Sequence, residues 1–381
     1  MPDNTLPSPV KLPVIEGPTQ PAPSPELADL YRGFEQEMLI PLWYEIGDLM
    51  PGKPQAKAAP WLWKWSDLLP LAEQAGDIVQ VGRGGERRAI ALANPTLGGR
   101  PYISPTLWCA IQYLGPGEDA PYHRHTQNAF RFVVEGEGVW TLVNGDPIPM
   151  RRGDFLPQGT WNWHGHFNPT DQPMAWIDGL DIPFQYATDS TFFEFGPEQF
   201  TDEERTTPQQ SRSERLWQYG GLTPEKYAAQ PIPFSPLFAY RWANTDAALT
   251  QQLAMEAEGH DVTVEPGHAA VRYTNPTNAG DVLPTIRTSI HRLRKGAATA
   301  PRREVGSSVF QVFDGAGKVS VGDRTWSVTR GDIFVVPSWT TFSISSEASA
   351  SDSDSGALDL FRFADTPIFE KLDLYRSEID A

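Results

Sequence analysis

The sequence predicts a mainly β protein: two antiparallel, jelly-roll-like barrels in one chain, with helices ahead of the first. Three observations carry that expectation. Two histidine pairs, His123-Arg124-His125 and His164-Gly165-His166, sit in short strand patterns bounded by glycine. The glycine frame around them recurs about 179 residues later, too long a period for a solenoid and suited to a duplicated domain. Across the whole chain 32 glycines and 36 prolines cut much of the sequence into short runs, the punctuation of brief strands.

In chain order, residues 1–24 are proline-rich without the apolar stretch of a secretion signal, and read as an extended or disordered arm. A helical amino-terminal segment is expected over 25–86. Leu27, Leu30, Phe34, Met38 and Leu39 keep helical spacing between Pro25 and Met50, and Trp61 to Ala72 reads as a second helical piece. The first barrel is placed at 87–200, a connector rich in charge, glutamine and proline at 201–240, and the second barrel at 241–381. Within the last, the serine- and aspartate-rich stretch from Ser345 to Ser355 reads as a solvated loop.

Composition narrows the function classes. A chain of 381 residues with 40% hydrophobic residues can bury a large core. Its net charge of -17 leaves no footprint for nucleic acid or an anionic membrane surface. No apolar run approaches the roughly 18–20 residues of a membrane span. The single cysteine, Cys109, excludes an intramolecular disulfide and fits a reducing cytoplasm.

The histidine pairs carry the chemistry. Residues i and i+2 of a strand share a face, so His123 and His125 point into one cavity, where a third imidazole from a neighbouring strand would complete a facial set. The run Gly117-x5-His123-x-His125, ending at Gly136, and the run from Gly153-Asp154 through His164 to Asn168 resemble the two motifs of the cupin family. The resemblance implies a bicupin and metal ligands at His123, His125 and His164. The usual glutamate ligand is replaced by Ala129, Gly159 stands where the second motif has proline, and Trp161 stands where it has glycine. An atypical turn into the His164 strand is therefore expected.

The second copy, from Gly296 through Gly315 to Gly331-Asp332, Pro337 and Trp339, carries Arg302, Glu304 and Phe342 at the ligand positions. That set does not hold a divalent ion as three imidazoles do, so one metal per chain is expected and the second site is degenerate. His260, His268 and His291 are read as ordinary core or surface residues.

Longer stretches narrow the family. They are Gly82-Arg83 to Arg88, Pro105 to Trp108, Ile111-Gln112-Tyr113, His123 to Phe132, Trp163 to Asn168, Trp176-Ile177-Asp178-Gly179-Leu180-Asp181, and Arg272 to Pro276. Together they resemble gentisate 1,2-dioxygenases, a group that includes salicylate and 1-hydroxy-2-naphthoate ring-cleaving enzymes. The resemblance implies iron(II), one per chain, and cleavage of gentisate between its carboxyl- and hydroxyl-bearing carbons to give maleylpyruvate. The partners it implies are a small aromatic hydroxy acid and O2, with a homotetramer in the cytoplasm. It places Arg83, Arg87 and Arg131 near the substrate carboxylate, Trp108 and Gln112 along the pocket, Asp178 against a ring hydroxyl, and His166 as the acceptor of a phenolic proton. An inward Arg131 needs an anion, for which an internal carboxylate such as Glu135 is the competing partner. Salicylates or 1-hydroxy-2-naphthoate are the alternative substrates, and a non-catalytic metal-binding protein is a remoter reading.

Overall fold

The computed structural model describes residues 24–42, 49–79, 81, 88–197, 199–228, 232–347 and 357–379. It divides into Met1–Gln55 and Ala56–Ala381. In the first unit a helix runs Pro25–Gln36, capped by the Ser24 side chain, which accepts Leu27 N–H at 3.2 Å. It ends where Glu37 N–H returns to Gly33 O and Met38 takes a left-handed φ of 56°. The helical spacing expected as far as Met50 is therefore helix over its first part. Residues 43–48 and residues 1–23 of the expected arm lie outside the described residues.

The second unit opens with strand β1, Trp61–Trp63, the helix Trp65–Ile78, and β2, Ala89–Ala91. There follow β3 Trp108–Leu114, β4 Asp119–His125, β5 Ala129–Glu135, β6 Glu137–Val143, β7 Asp146–Arg151, β8 Phe155–Gln158, β9 His164–Phe167, β10 Met174–Leu180 and β11 Phe193–Phe195. Helices at Arg212–Trp217 and Trp242–Ala257 lead to β12 His268–Arg272, β13 Arg287–Leu293, β14 Arg302–Glu304, β15 Ser308–Asp314 and β16 Ala316–Val321. The remaining strands are β17 Arg324–Thr329, β18 Ile333–Val336, β19 Phe342–Ser346, β20 Leu358–Ala364 and β21 Ser377–Ile379. Of the loop expected at Ser345 to Ser355, Ser345 and Ser346 are strand and residues 348–355 lie outside the described residues.

These strands make two antiparallel barrels of two sheets each. The first barrel combines the sheet β2-β3-β10-β5-β8 with β11-β4-β9-β6-β7. The second combines β1-β18-β15-β20-β13-β12 with β17-β16-β19-β14-β21. Alternation decides which core each side chain enters. On β5, Val133 joins Leu114, Ile148 and Trp176 inside the first barrel, whereas Phe130 and Phe132 point out of it. Those rings meet Phe361 and Phe363 of β20, with Phe132 stacked on Phe361 at 4.1 Å. One apolar core therefore lies between the barrels, and each phenylalanine buried there contributes about 1.5–3 kcal/mol. Cys109 lies in that core, its thiol pushed up by burial and then by Asp178. Among the described residues no helix is long and apolar enough to cross a membrane.

The duplication shows in the backbone. Gly117 and Gly296, Gly136 and Gly315, and Gly153 and Gly331 have φ values of 69° and 79°, 81° and 81°, and 84° and 90°. Trp161 and Trp339 both adopt left-handed φ, 62° and 57°, and their N–H groups reach His125 O and Glu304 O. The unusual tryptophan at a glycine position thus keeps the glycine conformation in both copies.

The segments ahead of the barrels cross over. The piece Trp61–Trp63, expected to be helical, is a strand paired with β18 of the second barrel. Its Trp-Leu-Trp text has the period of a strand: Leu62 packs into the second barrel, and Trp61 and Trp63 pack on the core between barrels. Asp332 of the second barrel then accepts Trp65 N–H at 2.9 Å and Lys64 Nζ at 2.6 Å. Reciprocally, Asp154 of the first barrel accepts Trp242 N–H at 3.1 Å and Arg241 Nη1 at 2.5 Å, beside a bridge between Tyr240 and Phe155. Each indole lies where a Cβ on Gly153 or Gly331 would stand, 2.7 Å from Trp242 Cγ or 2.1 Å from Trp65 Cγ.

Candidate metal centre and substrate pocket

Two strands of one sheet bring three imidazoles together. His123 and His125 share a face of β4, and β9 pairs antiparallel with it so that His164 stands opposite His123. A register shift between Ala120 and His123 re-aims the strand just before the pair. The ring centroids of His123 and His164 are 4.1 Å apart, those of His125 and His164 4.9 Å, and one donor nitrogen from each of the three lies within 4.8 Å of the others. All three side chains are buried.

The donor set suits a divalent ion. His123 Nδ1 lies 2.8 Å from Pro121 O and His125 Nδ1 3.1 Å from Gln127 O. A carbonyl oxygen only accepts, so each Nδ1 carries the proton and each Nε2 keeps a lone pair for a metal. His164 Nδ1 lies 3.0 Å from Asn162 O in the same manner. Phe193 stacks on the His123 ring with centroids 5.5 Å apart.

The opposite sheet supplies a polar row. On β3, β10 and β5 the register sets Ala110, Asp178 and Arg131 side by side, with Trp108, Leu180 and Ala129 on one flank and Gln112, Trp176 and Val133 on the other. Arg131 is only 2% exposed. Its Nε donates to His166 Nε2 at 3.1 Å and stands 3.7 Å from Asp178 Oδ1, which also accepts Trp176 Nε1–H at 3.2 Å. The internal carboxylate beside Arg131 is thus Asp178. Glu135, the competing partner expected from the sequence, instead meets Arg330 of the second barrel at 2.7 Å. Gln112 is wholly buried, and among the described residues neither polar atom of its amide has a hydrogen-bond partner. His166 shares a strand face with His164 but is not one of the clustered three. Arg83 and Arg87 lie outside the described residues.

Sequence reasoning missed Gln158. It is wholly buried at the end of β8, opposite Ala129, with its amide nitrogen 2.6 Å from His164 Nδ1. The available signal was parity: Leu156 and Gln158 share the inward face of β8.

In the second barrel the corresponding positions hold an ion-pair network. Glu304 pairs with Arg362 and accepts from Ser308 at 2.9 Å and Tyr375 at 3.0 Å. Burial alone would raise its pKa, but Arg362 and these hydrogen bonds outweigh it and hold the carboxylate below its usual range. His268 and His291 lie 3.0 Å apart, with burial pushing His268 down to about 4 and His291 well below its ordinary value. They are uncharged at neutral pH. His260 is exposed.

Comparison with known proteins agrees with this arrangement. A cupin domain model matches residues 110–182. A gentisate 1,2-dioxygenase from a Streptomyces species is 54% identical over 92% of this chain and 95% of its own length. A 5-aminosalicylate 1,2-dioxygenase from a Comamonas species is 32% identical over 93% of this chain and 90% of its own. The crystal structure of salicylate 1,2-dioxygenase from Pseudoaminobacter salicylatoxidans with gentisate superposes with a TM-score of 0.91 at 57% identity, covering 96% of this chain and 97% of that one. With its three-histidine site and paired cupin barrels, the chain belongs to the gentisate 1,2-dioxygenase family.

Proposed function

We propose that the protein is an iron(II)-dependent gentisate 1,2-dioxygenase that adds both atoms of O2 to 2,5-dihydroxybenzoate between the carboxyl- and hydroxyl-bearing carbons, giving maleylpyruvate. The observation that carries this reading is the three-imidazole cluster facing a buried row of Arg131 and Asp178. His123, His125 and His164 would hold the ion, which when bound brings the aromatic acid and dioxygen together and lets electron density pass between them.

The chain's own residues orient the acid. Arg131 offers its guanidinium to the substrate carboxylate, because an arginine buried among apolar strands is worth most against a second anion. Gln112, with both amide atoms buried and without partners among the described residues, has hydrogen-bonding capacity for a polar ligand. Asp178 accepts from the ring 5-hydroxyl, and Trp108 bounds the pocket beside it. His166 takes the phenolic proton at Nε2 as Arg131 turns toward the carboxylate. Family resemblance adds Arg83 and Arg87 to the carboxylate clamp.

A salicylate-type substrate is the second reading. Ala110, beside Asp178 in the register, presents only a methyl group at that corner, and the relatives include enzymes named for salicylate and 5-aminosalicylate. Oxygen uptake by the iron(II)-loaded protein decides between them. Turnover of gentisate well above salicylate supports the proposal, and the reverse order overturns it. The single cysteine fits a cytoplasmic location, and the family resemblance supports a homotetramer, which light scattering tests.

A further inference from the structure

We propose that Gln158 is a positioning residue for the metal: its carboxamide oxygen accepts the Nδ1–H of His164 and locks that imidazole in the tautomer whose Nε2 faces the ion. The proposal rests on the three-histidine metal reading and names a side chain outside that ligand set.

The argument starts from a conflict of donors. His164 Nδ1 lies 3.0 Å from the Asn162 carbonyl oxygen, which can only accept, so Nδ1 carries a hydrogen. The Gln158 amide nitrogen lies 2.6 Å from that same Nδ1 and 3.3 Å from Nε2. An NH2 group cannot donate to a nitrogen that is itself donating. Meanwhile the Gln158 oxygen is buried and has no hydrogen-bond partner among the described residues.

Exchanging the two ends of the carboxamide, which are alike in size, removes the clash of donors and gives the buried oxygen a partner. The oxygen then accepts from Nδ1–H, shared with Asn162 O, and the NH2 group takes the other buried position. Strand geometry explains why this residue is the one to do it. Gln158 lies directly opposite Ala129, the position where the resembling motif carries a glutamate. Alanine is too short to reach the imidazoles, whereas a glutamine across the ladder reaches them. His123 and His125 each have a backbone carbonyl at Nδ1. His164 has a side-chain acceptor in addition, and a side chain can be changed without disturbing the backbone.

The test is metal affinity of the metal-free protein, measured by titration with Co2+ against a chelator and followed by the visible Co2+ spectrum. Gln158→Leu, or the near-isosteric Gln158→Met where the leucine variant does not fold, is expected to weaken Co2+ binding ten- to hundredfold at unchanged melting temperature. Gln158→Glu is expected to bind at least as tightly as wild type, since a carboxylate accepts the same proton. Wild-type affinity in the leucine or methionine variant overturns the proposal, as does a glutamate variant that binds no better than they do. His164→Ala serves as the control. If that variant keeps Co2+ at full affinity, the metal reading itself fails, a result separable from the behaviour of position 158.

Discussion

Arg131 donates its Nε–H to His166 Nε2 across 3.1 Å, so the buried guanidinium and the imidazole form one hydrogen-bonded pair rather than two independent groups. A hydrogen bond aimed at Nε2 keeps that nitrogen a lone-pair acceptor. Arg131→Met is expected to fold and retain metal while losing about 1.5–3 kcal/mol of transition-state stabilisation, the scale of a charge-assisted hydrogen bond. Combined with His166→Ala, the loss should fall short of the sum. Ratios of kcat/KM for the single and double variants measure the coupling; additivity within about 0.5 kcal/mol would show that the two residues act separately.

His164 and His166 share a strand face but are expected to part company on mutation. His164→Ala should lose metal and activity together. His166→Ala should keep metal near the wild-type level and slow turnover by roughly a hundredfold or more, as for a positioned acid or base. Metal analysis beside steady-state rates checks this. Equal loss of metal from both variants would make His166 a ligand or an indispensable support.

One metal per chain is expected, because Glu304 in the second barrel is engaged by Arg362, Ser308 and Tyr375. His123→Ala should therefore drop the stoichiometry from about one to near zero. Two tightly held ions per wild-type chain, found by elemental analysis, would refute it.

The sequence made the barrels legible because their turns rest on residues with one physical job. Gly117, Gly136 and Gly153 and their later counterparts occupy left-handed backbone that disfavours side chains, so the frame survives where ligands do not. The histidine cluster was legible for a similar reason: i, i+2 spacing fixes a shared strand face. Cross-strand partners were not. Trp61–Trp63 reads as helix beside Leu68 to Ala72 until β18 is there to pair with it, and Asp178 as the neighbour of Arg131 depends on a register no local pattern encodes. Gln158 was hidden likewise, since nothing in its own stretch announces Ala129 across the ladder.

Asp365 gives a pH dependence unrelated to the metal. It is 1% exposed, bonded by the Thr106 hydroxyl and by Ser307 N–H at 2.7 Å, and burial pushes its carboxyl up from 3.8 to about 7. Between about pH 4 and 7 the folded protein holds a proton that the unfolded chain has released. The stability this group contributes is thus fully present below about pH 4 and is lost as pH rises through 7, at roughly 1.4 kcal/mol per pH unit. Asp365→Asn removes that titration. Its melting temperature relative to wild type should climb between pH 4 and 8, and a constant difference across that range would contradict the assignment.

The crossing of Lys64-Trp65 onto Asp332 and of Arg241-Trp242 onto Asp154 sets an order on biosynthesis. As the chain leaves the ribosome, every strand of the first barrel emerges before the indole and guanidinium that close against its Gly153-Asp154 corner. That half must wait, with Phe130 and Phe132 still uncovered, for residues past 240 and then for β20. The second half meets the opposite situation: its closing piece, Trp61–Trp65, is already in place when β18 appears. Nascent chains stalled between the two barrels would therefore be the ones that chaperones hold, and completion of the carboxyl-terminal half would release both together.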